Sequence, residues 1–168
     1  MSTTTTATTT TSVPTIDIGI TQEDRQQIAD GLARLLADTS TLYFKAHGYH
    51  WNVTGPQFPT LHALFEEQYR DLHDSTDVIA ERIRALGFRA PGSYAELREL
   101  TSVPEAEGTP SATEMVEDLA LGHEQVARIA RELVPLAERT GDQPTLSLLS
   151  DRLAAHEKAA WMLRATLA

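Results

Sequence analysis

Residues 50–81 read HWNVTGPQFPTLHALFEEQYRDLHDSTDVIAE. Two imidazoles, His50 and His62, stand near its start, and a carboxylate pair, Asp77 and Glu81, at its end. Proline is tolerated in a first helical turn and glycine is a natural stop, so one uninterrupted helix is expected from near Pro59 to Gly87. Phe65, Leu72, Ile79 and Leu86 recur every seven residues, a seam suited to long helix-on-helix packing. His62, Glu66, His73, Asp77 and Glu81 fall on a strip beside that seam. Mixed imidazole and carboxylate donors suit Fe(II), and zinc would accept them too. One chain cannot bring the whole set to one ion, because the fifteen residues from His62 to Asp77 span roughly 22 Å of helix. If two copies pack antiparallel about a two-fold axis, the histidine end of one meets the carboxylate end of the other, twice per dimer. The competing reading makes these residues ordinary capping and salt-bridging groups at a dimer contact.

Outward from this stretch, the chain reads as helix after helix. Thr21 is placed to cap a first helix, with Glu23 and Asp24 in its first turn. Ile28, Leu32, Leu35, Leu36, Leu42 and Tyr43 keep helical spacing up to Trp51, before the turn signal at Gly55 and Pro56. A long connection, 88–110, has room for a short helix at 94–100. Ser111 and Glu114 have capping-box spacing for a third long helix, which Pro135 is expected to kink or end early and Gly141 to stop. Asp142 then caps a fourth, with Pro144 in its first turn. There is no strand-like alternation and no internal repeat. The expected fold is all-α, an antiparallel four-helix bundle over 18–168 with a short extra helix between its second and third members. Residues 1–17, rich in Thr, are expected to form a disordered tail.

The chain has no cysteine, which excludes disulfides, thiolate metal sites and thiol catalysis, and leaves metal binding to His, Asp and Glu. The formal charge of −10 repels nucleic acid and anionic lipid and draws cations toward acidic surfaces. No signal-peptide pattern and no membrane-crossing run is present, so a cytoplasmic location without membrane attachment is expected. Gly-rich phosphate loops, hydrolase elbows and Glu-x-x-His motifs are missing from the sequence.

Other residues carry two readings each. Glu66, one turn after His62, is placed to reach the same ion. His73 is a further ligand, or a histidine held by Asp74 or Asp77. His47 is an extra ligand or a hydrogen-bonding partner behind His50. Trp51 is a packed aromatic, or a side chain oxidised in place of more harmful targets. His123 and His156, among polar neighbours, read as surface residues.

The stretch HWNVTGPQFPTLHALFEEQY, followed by DVIAERIRALG, resembles the signature of the Dps proteins, the miniferritins also called DNA-binding proteins from starved cells. The similarity extends more weakly to HEKAAWML near the end, and so covers the chain from about Ile18. The resemblance implies a hollow homo-dodecamer of ferritin-like subunits with a ferroxidase centre at each two-fold interface. Carried over by motif, one subunit supplies His50, His62 and Glu66, and its partner Asp77 and Glu81. Many members have aspartate at the Glu66 position. The implied activity is oxidation of Fe2+ by hydrogen peroxide, or more slowly by oxygen, with the ferric product stored in the shell and zinc as a competitor. It also implies acidic three-fold pores, for which Glu138, Asp142 and Asp151 are the candidates. Alternatives are a nucleoid protein with a secondary metal site and a zinc-holding structural cage. DNA binding is expected to be weak or absent: the Thr-rich tail has no Lys or Arg, and the chain's only lysines are Lys45 and Lys158.

Overall fold

The structure, a computed structural model, describes residues 16–168, so the expected Thr-rich tail lies outside the described residues except for its last two. Five helices follow one another: α1 Gln22–Asn52, α2 Phe58–Ala85, α3 Tyr94–Leu100, α4 Ala112–Thr140 and α5 Gln143–Thr166. Among the described residues there is no strand. The four long helices pair as α1 with α2 and α4 with α5, and α1 joins the pairs by packing on α4. Gly31 and Gly122 let that joint close, since a Cβ would meet Leu133 of α4 and Leu42 of α1 at 2.0 and 2.5 Å respectively.

Local chemistry sets the helix ends. The Thr21 hydroxyl accepts from the Asp24 amide, and Ser93 and Ser111 each form a complete capping box with Glu96 and Glu114. Gly141, at φ +68°, closes α4 in the left-handed conformation that glycine adopts without steric penalty. The seam of α2 is the centre of the core: Phe65, Leu72, Ile79 and Leu86 are all fully enclosed. Burying four such side chains contributes roughly 1.5–3 kcal/mol each, which is why so polar a helix holds its place.

Asp38, fully buried on α1, anchors the long connection. It accepts from the Ser102 and Val103 amides and from the Thr101 and Ser102 hydroxyls, at 2.5–3.2 Å. Lys45, also buried, donates to the Pro104 carbonyl at 2.9 Å and to Asp118 of α4 at 2.8 Å.

Three expectations are corrected here. Pro135 does not end α4, which continues to Thr140; Pro135 and Arg131 both lie on the exposed face, where water can satisfy the carbonyl left without its donor. Asp142 is not free to line a pore. It is 1% exposed, caps α5 by accepting from the Thr145 amide, and receives Arg82 of α2 at 2.6 Å. His123 and His156 are not surface residues: they are 2% and 0% exposed, with their Nδ1 atoms 2.9 Å apart in the core.

Burial holds the His123 imidazole down to about 4 and that of His156 well below its usual range. The unfolded chain, titrating near 6.5, therefore takes up these protons first, and stability falls as pH drops from 6.5, the His123 share of the loss being complete below about 4. The His123 share should be on the order of 3 kcal/mol per subunit. Urea unfolding at pH 7, 5.5 and 4.5 measures it, and a His123→Gln/His156→Gln variant should lose less over the same interval.

Candidate metal centre

The end of α1 and the start of α2 are joined by a short turn at Gly55, whose φ of +107° favours glycine. That turn lays His50 against His62. Their rings stack with centroids 3.7 Å apart and 20° between planes. Each ring bonds the other's backbone: His50 Nδ1 lies 2.8 Å from the His62 carbonyl, and His62 Nδ1 lies 2.7 Å from the His50 carbonyl. A carbonyl oxygen can only accept, so both Nδ1 atoms carry the proton. In the neutral rings both Nε2 atoms then keep a free lone pair, the tautomer that metal-binding histidines have when a carbonyl fixes the other nitrogen.

Glu66 follows one turn along α2. Its Oε1 accepts from Arg70 Nε at 3.0 Å and Arg70 Nη2 at 2.5 Å, while Oε2 makes no hydrogen bond among the described residues. The Arg70 guanidinium holds the Glu66 carboxyl below the usual carboxylate range, and the two nearby imidazoles add to this. Behind the histidine pair lies an aromatic wall that sequence reasoning missed. His47 is stacked on Tyr69 at 4.1 Å and touches Trp51 at 4.2 Å, and Tyr69 meets His50 edge-on at 5.2 Å. Desolvation, helped by His50 and His73, lowers the His47 imidazole below its usual value. His47 thus sits as packing behind His50. Tyr69 and Arg70 were legible as positions seven and eight residues beyond His62, on the same side of α2.

The remaining candidates stand elsewhere. His73 is exposed, with Asp74 at 3.4 Å and the Tyr43 ring at 5.5 Å. Asp77 and Glu81 are exposed, four and five turns along α2 from His62. Asp77 borders a surface concavity with Ser40, His73, Ala80 and Leu97. Among the described residues, no three His, Asp or Glu side chains of one chain converge closely enough to hold an ion. Glu138 and Asp151 are exposed on α4 and α5. No helix among the described residues is long and apolar enough to cross a membrane.

Several large apolar side chains are exposed on α1, α2 and α3. Trp51 is 66% and Tyr94 73% exposed, with Phe44 against Tyr94 at 5.3 Å, Phe58 against His62 at 5.0 Å and Val78 beside Asp77.

Residues 29–168 match the model of the ferritin-like domain. A low temperature-induced protein of Nostoc sp. is 43% identical over 157 residues, covering 90% of this chain and 86% of that one. DNA protection during starvation protein 2 of Bacillus anthracis is 38% identical over 142 residues, 84% of this chain and 97% of its own. The crystal structure of the DPS protein of Vibrio cholerae O1, described as belonging to a broad superfamily of ferritin-like diiron-carboxylate proteins, superposes with a TM-score of 0.88 at 34% identity. It covers 95% of this chain and all of that one.

If the free Nε2 atoms are metal donors, His50→Ala and His62→Ala should each weaken Zn2+ binding by about a hundredfold or more, as loss of an imidazole ligand demands. Calorimetric titration of the assembled protein with Zn2+ checks this.

Proposed function

The chain belongs to the Dps family of ferritin-like proteins, and from that premise we propose that it oxidises Fe2+ and stores the ferric product in a closed homo-oligomeric shell, protecting against oxidative damage. The single observation that carries the reading is the reciprocal bonding of His50 and His62. It leaves two lone pairs with no partner among the described residues, and the Glu66 carboxylate is one turn away.

The site is completed by the partner subunit. Asp77 and Glu81, about 22 Å along α2 from His62, become neighbours of a second copy's histidines in an antiparallel dimer. The exposed Trp51, Phe44, Phe58, Tyr94 and Val78 supply the apolar surface such a contact needs. The inferred shell has twelve subunits, and the reaction balances as two Fe2+ and one hydrogen peroxide with two protons giving two Fe3+ and two waters. Oxygen is the slower oxidant, zinc competes for the same donors, and the cytoplasm is the proposed location. Glu138 and Asp151 remain candidates for a cation route.

DNA binding is weak or absent in this reading. Seven of the twelve arginines are paired with carboxylates, Lys45 is buried against Asp118, and Arg25 is buried with its guanidinium on the Leu86 carbonyl. Few cations are left to neutralise phosphates, while twelve subunits at −10 would give a shell near −120.

Two measurements follow. His62→Ala together with Asp77→Ala should abolish peroxide-dependent Fe2+ oxidation while the oligomer stays assembled; undiminished oxidation would sink the assignment, and Zn2+ uptake by the wild type without any oxidation would favour the structural cage. In a gel shift at about 0.15 M salt, plasmid should run unretarded, whereas a shift that weakens steeply with salt would restore the nucleoid reading.

A further inference from the structure

Among the described residues, Arg70 is the one arginine whose carboxylate partner is a candidate metal donor. The other ion pairs of the described residues serve different ends. Arg82, largely enclosed, ties α2 to the α5 cap at Asp142, and Arg152 ties α5 to Asp71. Arg70 instead reaches back one turn along its own helix, with both contacting nitrogens on Glu66 Oε1. Its side chain is 67% exposed, and its other close neighbour is the Tyr69 ring, 5.9 Å from the guanidinium. An exposed i,i+4 pair contributes little to stability. The arrangement therefore does little for the fold, yet it places a fixed positive charge on a carboxylate beside two imidazoles with free Nε2 atoms.

We propose that Arg70 is a positioning residue that latches Glu66: it holds the carboxylate while no cation is bound, and a divalent cation must displace it to use that carboxylate. This rests on the reading of His50, His62 and Glu66 as a cation site. Two effects act in the same direction. The carboxylate oxygen that Arg70 occupies must exchange a charged hydrogen bond for the cation. The guanidinium also repels a dication about one helical turn away, until it swings into water, which its exposure allows. Arg70 thereby lowers the affinity of the site and weights it against adventitious cations that cannot break the pair. The Oε2 atom, free of hydrogen bonds among the described residues, is the point at which an incoming cation first meets Glu66.

The test is anaerobic titration of the assembled protein with Co2+, which is not oxidised under these conditions and whose visible spectrum reports its ligands. Arg70→Gln should tighten Co2+ binding about tenfold, most of it because the charged hydrogen bond on Glu66 no longer has to be broken, with Arg70→Lys between it and the wild type. In a Glu66→Gln background the gain from Arg70→Gln should shrink to less than about threefold, because the latched group is gone. Light scattering confirms that each variant is assembled. Equal or weaker Co2+ binding by Arg70→Gln, with the wild type binding normally, overturns the latch alone. Failure of the wild type to bind Co2+ at all overturns the cation-site reading and the latch with it.

Discussion

A helix is a rigid ruler, and α2 measures the distance on which everything else in this molecule depends. Its 28 residues carry an imidazole near one end and carboxylates near the other, at a separation that no side-chain rotamer can close. The donors are nevertheless on one strip, beside a seam of enclosed residues that fixes which way α2 faces. A ruler with unlike ends and a fixed face pairs naturally with a reversed copy of itself. Helix geometry keeps the two ends of one chain's α2 apart, so a site that used both would draw on a second subunit.

The rest of the subunit keeps that ruler straight and oriented. Phe65, Leu72, Ile79 and Leu86 seat α2 in the core, and the Arg82–Asp142 pair ties its far end to the cap of α5. At the near end the restraint is finer: two backbone carbonyls, each accepting from the histidine ring on the other helix, set both ring tautomers at once. Those bonds need no metal, so the donors stand ready before any ion arrives, and less ordering opposes binding. Charge is handled with similar economy. Most cations are consumed in internal pairs, leaving the acidic excess to dominate the surface.

Much of this was legible in the sequence, and the failures have physical causes. The seven-residue seam, the Ser–Glu capping boxes, the short helix at Tyr94–Leu100 and the glycine stop at Gly141 are local signals, and local chemistry decided them. His123 and His156 were misjudged because their neighbours in sequence are charged. The better signal was helical spacing: Leu119, His123 and Val126 share a buried stripe, as do Leu149, His156, Ala160 and Leu163. Asp142 was a poor pore candidate for a related reason, since an N-cap carboxylate is committed to backbone amides. The stacking of His47 on Tyr69 and the grip of Arg70 on Glu66 depend on rotamers, which spacing alone does not specify.

The claim that each centre draws on two subunits is tested most directly by mixing two inactive variants. His62→Ala chains lack the histidine side and Asp77→Ala chains lack the carboxylate side, so oligomers of either alone should oxidise Fe2+ poorly. When equal amounts are unfolded together and co-assembled, random pairing at a two-fold interface makes about a quarter of the sites whole. Peroxide-dependent oxidation should then rise to about a quarter of the wild-type rate. A mixed sample that stays at the level of the separate variants, though shown to contain both chains in one oligomer, would contradict a centre shared between subunits.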